Sequence, residues 1–264
     1  MQKKKKTANR LLALLLSVMM IVGMLPMTAF AAQADLTIET PEQFQSFAEQ
    51  VNGGDNFEGK TVALAADINL GGENSPWTPI GTSSNPFKGT FDGGNHVVSG
   101  LYIDTGSNIG LFGYVDGGTV QNLTVQGEVK GSSAAAGVVG YLNGGTVKNC
   151  GNQTSVSAGS NVGGVVGSAN GTCEVSGCYN AGAVSGTTGY IGGVVGYVWG
   201  TATITESYNT GSITGPATVG GIAGGHKAKA VNCENCYNAG TIKSSGSNNI
   251  GAIVGATRNG SVVN

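Results

Sequence analysis

Gly110-Leu111-Phe112-Gly113, Gly137-Val138-Val139-Gly140, Gly164-Val165-Val166-Gly167, Gly193-Val194-Val195-Gly196 and Gly221-Ile222-Ala223-Gly224 are five brackets in which glycines enclose two apolar residues. A sixth bracket, Ala252-Ile253-Val254-Gly255, opens with alanine. The closing glycines are 27, 27, 29, 28 and 31 residues apart. A period of this size marks a stack of similar small units, each burying its apolar side against the next.

Other positions repeat in step. Leu123, Cys150, Cys178, Ser207 and Cys236 form one column, and Val120, Val147, Val175, Ile204 and Cys233 stand three residues before it. Val129, Val156, Val184, Ile213 and Ile242 stand six residues after it. The brackets add two apolar columns, starting at Leu111 and Phe112. Such columns suit inward positions of a coil, because strands of neighbouring coils lie about 4.8 Å apart and stack like on like. Burying each Val or Ile contributes roughly 1.5–3 kcal/mol.

Asn152, Asn180, Asn209 and Asn238 form a polar column beside Tyr179, Tyr208 and Tyr237. Stacked amides can bond along the axis, as in cross-β ladders. Exposed tyrosines lining a sugar-binding face are the functional alternative. Gly182, Gly211 and Gly240 then supply a turn, where a side chain would clash or positive φ is needed. About 28 residues accommodate three short strands and three turns. The reading is an all-β, right-handed parallel β-helix. Leucine-rich and propeller repeats have other patterns or longer periods.

The brackets, with Cys178-Tyr179-Asn180-Ala181-Gly182, Ser207-Tyr208-Asn209-Thr210-Gly211 and Cys236-Tyr237-Asn238-Ala239-Gly240, resemble the GLUG-motif repeats of bacterial secreted and cell-surface proteins. Trp77 to Gly93 resembles the segment that often precedes such repeats. The resemblance covers about residues 60–264. It implies an exported protein, adhesin-like or a non-catalytic part of a peptidase. Ala252, the small Ala223, and Cys150-Gly151-Asn152-Gln153-Thr154, which lacks the tyrosine and second glycine, depart from the pattern. Irregular coils are expected there.

Residues 1–31 read as a secretory signal peptide: a basic start at Lys3–Lys6 and Arg10, an apolar run from Leu11 to Leu25, and Ala29-Phe30-Ala31 as cleavage site. A membrane anchor is the alternative, but the run is shorter than the roughly 20 residues a spanning helix needs. Five of the 13 basic residues and none of the 15 acidic ones lie in this leader, so the mature chain carries 8 − 15 = −7. That balance argues against nucleic acid as a partner. No membrane insertion of the mature chain is expected.

Residues 32–59 contain a helix over 40–52. Thr40 is its N-cap, Pro41 its first residue and Gln43 the capping-box partner, with Phe44, Phe47, Ala48 and Val51 as its apolar stripe. It is read as the cover on the solenoid's open end, with a separate binding helix as the alternative. Residues 60–108 form the first, irregular coils, with Val62, Leu64, Ile68 and Leu70 on a strand and Asp92-Gly93 as a hairpin-turn signal. Residues 109–264 are the regular repeats. The next Leu/Cys/Ser position is due just beyond Asn264, so further coils are expected downstream.

The sequence offers no catalytic, cofactor-binding or metal-binding constellation. Beyond residue 105, Asp116, Glu128, Glu174, Glu206 and Glu234 share no column, which argues against a paired acid–base site. His96 and His226 read as turn or surface residues. Cys233-x-x-Cys236 is one pair where a structural zinc wants four ligands, so these cysteines read as small core residues. Cys150 and Cys178 should be stacked neighbours, with Cβ atoms rather far apart for a bridge. Asp67, Asp92 and Asp104 could hold calcium, but the calcium-repeat pattern is absent. The expectation is a secreted or surface-displayed, non-catalytic scaffold that binds an extracellular glycan or a host or cell-surface protein, without cofactor. The alternative is a carbohydrate-active β-helix enzyme, or the spacer of a larger surface hydrolase or peptidase.

Overall fold

The computed structural model describes residues 34–216, 218–226, 231–246 and 249–256, with the backbone of 262–263. The segment read as a signal peptide lies outside the described residues. Over the described residues the chain is an all-β parallel β-helix with one α-helix near the N-terminal end of that stretch.

Register shows how the coils stack. Leu36 pairs with Val62, Val62 with Phe91, Phe91 with Val120 and Val120 with Val147. The same file continues through Val175, Ile204 and Cys233 to Val263. Nine positions in one file make eight turns. From Val62 to Cys233 every member is fully buried. Parallel pairing in register brings each residue over its counterpart one coil away, so a column of Val and Ile becomes a continuous apolar seam.

The remaining columns are likewise interior files. Ile103, Val129, Val156, Val184, Ile213 and Ile242 pair in succession. Phe112, Val139, Val166, Val195, Ala223 and Val254 do the same. Register therefore survives the small Ala223 and the Ala252 bracket.

Helix α1 spans Pro41–Asn52. Thr40 caps it: Gln43 N–H donates to Thr40 Oγ1 at 3.3 Å, and Thr40 N–H donates back to Gln43 Oε1 at 3.2 Å. Phe44, Phe47, Ala48 and Val51 are buried. Phe44 stacks on Trp77 with centroids 5.2 Å apart, and Phe47 meets the edges of Phe57 and Phe87. The aromatic excess of the first coils is thus the material that seats the helix over the solenoid interior. A short strand β1, Leu36–Ile38, precedes α1 and forms the outermost rung, an element the residue pattern alone does not reveal.

Two expectations are corrected. Asp92-Gly93 does not turn a hairpin. Asp92 Oδ1 accepts the Gly94 N–H at 2.9 Å, Gly94 and Asn95 take positive φ, and the chain rounds a corner inside Thr90–Ile103 to pair in parallel. The apolar alternation of Val62 to Leu70 is split by another corner into Thr61–Leu64 and Ile68–Asn69.

Five successive coils turn through a left-handed residue at an equivalent place. Asn122, Asn149, Gly177, Glu206 and Asn235 all have φ between 52° and 61°. Asn and Gly reach this region at little cost, whereas Glu206 hides the corner from a sequence reader.

Candidate functional site

The polar columns turn out to be internal scaffolding. Asn152 Nδ2 donates to Asn180 Oδ1 at 2.7 Å, Asn180 to Asn209 at 2.6 Å, and Asn209 to Asn238 at 2.7 Å. Each amide's second N–H goes to a carbonyl two residues on. The first three are fully buried with their donors satisfied, which a buried amide requires.

Two further ladders run on the outside with the opposite polarity. Asn170 donates to Asn143 and Asn143 to Asp116. Asn149 donates to Asn122 and Asn122 to Asp92. Each ends on a carboxylate, which only accepts. The Lys88 ammonium, 3.0 Å from Asp116, holds that carboxyl below the usual range, with Asn143 adding to it against the cost of burial. Burial opposes ionisation of Asp92, but the Gly94 N–H and the amides of Asn122 and Gln121 outweigh it and keep its pKa low.

The tyrosine column stacks face to face. Tyr179 and Tyr208 have centroids 5.5 Å apart, and Tyr208 and Tyr237 are 5.0 Å apart and nearly parallel at 3°. Rings stacked this way cover one another's faces, so the inner ones offer edges and hydroxyls, not platforms for a sugar ring. Gly151, where the tyrosine is missing, is covered by the Tyr179 ring, whose hydroxyl reaches Thr124 at 3.2 Å.

The five cysteines are free. Cys150, Cys178 and Cys236 each lie one residue after a left-handed corner, and each thiol points at the carbonyl two residues back, at 3.3–3.4 Å. Ser207 does the same at 2.9 Å, and its hydroxyl also accepts the Cys178 N–H. From Cys150 onward the column therefore carries a small side chain with a hydrogen to donate, where the earlier coil has Leu123, a preference spacing alone does not show. Burial pushes the Cys233 thiol up to about 12 and Cys173 up to about 11.

The candidate chemical groups remain apart. Asp67 accepts from the Val97 N–H and meets His96 Nδ1 at 3.0 Å, while Glu128 pairs with Lys130 at 2.7 Å. Among the described residues, no three His, Cys, Asp or Glu side chains converge on a metal-sized site. His226 corrects the sequence reading. It is buried, 1% exposed, and occupies the interior file of Val115, Leu142, Ala169 and Val198. It stands as a core residue, although the neighbouring sequence Lys227-Ala228-Lys229-Ala230 carries no strong apolar signal to predict that.

One concavity follows the rod axis. Asp104–Gly106, Lys130–Ser132, Ser157–Gly159 and Thr187, from four successive coils, line a furrow of about 490 Å³. The pairings Lys130 with Ser157 and Gly131 with Ala158 keep it aligned. Its walls are hydroxyls and backbone, with Lys130 and Asp104 as charged groups.

Comparison with known proteins places this geometry. Residues 187–214 match the family model described as the GLUG motif. That stretch starts at the furrow and runs through Tyr208-Asn209 and its turn glycine. No curated protein matches the chain. A solved structure from Bacteroides ovatus, described as a "putative immunoglobulin A1 protease", superposes with a TM-score of 0.58 at 22% identity, over 84% of this chain and 83% of that one. At that identity the likeness speaks for the fold alone. The chain is a parallel β-helix that carries the GLUG motif.

Proposed function

We propose that this chain is a secreted or surface-displayed, non-catalytic repeat scaffold that binds an extracellular ligand along its length. The observation that carries this reading is the furrow crossing four coils, lined by hydroxyls and backbone groups. A hydroxyl-lined groove parallel to the axis suits a linear glycan, whose repeating hydroxyls meet repeating partners one coil apart. The carboxylates support a non-catalytic role, because Asp67, Asp92, Asp116 and Glu128 each serve a separate partner instead of facing one another. Among the described residues no helix is long and apolar enough to cross a membrane.

The structural neighbour favours a second reading, in which the rod is the spacer of a larger surface peptidase or hydrolase. A glycan and host-matrix array, run beside a polysaccharide-cleavage assay, separates the two. Retention of a linear glycan that is weakened by Ser157→Trp, without new reducing ends, supports the scaffold. Cleavage products overturn it.

A further inference from the structure

The net charge of the rod is confined to its N-terminal cap. Residues 34–87 hold eight carboxylates and one basic residue, Lys60. Residues 88–264 hold seven acidic and seven basic residues. The whole excess of seven negative charges thus belongs to the segment that forms α1 and the first coils. Lys60 is itself committed to Asp55, at 3.1 Å.

A cavity lies within this acidic cap. The stripe of α1 not used for packing, Glu42, Gln45, Ser46 and Glu49, recurs at i, i+3, i+4, i+7 and faces Leu70, Ser75 and Trp77 across about 350 Å³. Leu70 and Trp77 form an apolar floor. The indole N–H of Trp77 is spent on the Leu111 carbonyl at 3.0 Å, and the ring is fixed against Phe44. The cavity is therefore offered hydrocarbon below and carboxylates along one wall. Glu42 is kept ionised by its own backbone N–H and by Thr40. Gln45 donates to Glu49 at 3.0 Å, which orients that second carboxylate. Seven helical residues set the two carboxylates about 10 Å apart along the axis.

We propose that the cap groove between α1 and Leu70–Trp77 docks a basic segment of a partner protein, taking a lysine or arginine side chain into the cavity. A long cationic side chain matches both surfaces at once. Its methylenes lie on Leu70 and Trp77 and its charged head meets Glu49 at one end of the helix wall, while a second basic residue of the segment meets Glu42 at the other. The charge segregation steers such a segment to the cap end and not to the neutral rod. This site is independent of the furrow and goes beyond the glycan reading.

The test uses a fluorescent lysine–alanine peptide and the chain itself, read by anisotropy. Binding should weaken about tenfold in the Glu42→Gln/Glu49→Gln double variant, because two charge contacts are lost. Ser46→Phe, which fills the cavity and leaves the charge unchanged, should weaken it by a similar factor. Glu174→Gln/Glu234→Gln, two carboxylates on the rod, should leave it unchanged, and the Nε-acetylated peptide should fail to bind. Unchanged melting curves establish that the variants are folded. The proposal is overturned by no binding, by equal losses in the cap and rod pairs, by an unaffected Ser46→Phe variant, or by preference for a glucosamine oligomer over the peptide.

Discussion

Gly164 lies so close to Asn180 that a methyl group on its α-carbon would overlap the Asn180 carboxamide. The opening glycine of a bracket and the asparagine of the following coil are thus one feature seen twice. Gly193 and Asn209 repeat the arrangement. Gly164→Ala should therefore destabilise the chain by about 1–3 kcal/mol through overpacking. Urea unfolding measures it, and a variant as stable as the parent would break the link between the two columns.

Asn180 itself accepts from Asn152 and donates to Asn209. Asn180→Ala leaves buried amide groups on both sides short of a partner, and should cost about 2–3 kcal/mol. Asn238, half-buried at the ladder's last described rung, should be worth less. Equal losses at both positions would argue against a cooperative ladder.

The acid limb of stability should trace to Asp92 and Asp116. Their carboxyls are held below the ordinary value in the folded chain. A depressed folded pKa contributes stability above the unfolded value of about 3.9, and that contribution is lost as pH falls through the folded value. Asp92→Asn/Asp116→Asn should flatten the stability profile between about pH 5 and pH 2. An unchanged slope would assign acid sensitivity elsewhere.

Thiol labelling of the native chain at mildly alkaline pH should be slow and confined to Cys236, which is half-buried. Cys150, Cys173, Cys178 and Cys233 are buried, and the pKa values of Cys150, Cys173 and Cys233 are raised by desolvation. All five should label after unfolding. Recovery of fewer than five thiols would indicate a bridge.

Much of this fold can be read before any coordinates. Val147, Val175 and Ile204 announce their file by spacing, and Thr40, Pro41 and Gln43 announce the helix start, because apolar periodicity and capping chemistry are local properties. The corners are harder. Asn122, Asn149, Gly177, Glu206 and Asn235 share a backbone conformation but not a residue type. Cys150, Cys178 and Ser207 repeat for a hydrogen bond as well as for size, and apolarity alone does not distinguish the two. His226 enters the core because register carries it there after Val198. The furrow arises where mostly small side chains of four coils line up, so no single stretch of sequence signals it. The charge of the cap is countable in the sequence, whereas the placement of α1 beside Leu70 and Trp77 depends on the tertiary fold.

The in-register stack itself is tested most directly by the distance between spin labels on one outward file. Thr61, Thr90, Thr119, Thr146, Glu174 and Thr203 pair in succession. Labels at Thr61 and Thr203 should sit five coil steps apart, giving one narrow distribution centred near about 24 Å. A broad distribution, or a separation far from that value, would contradict the stack.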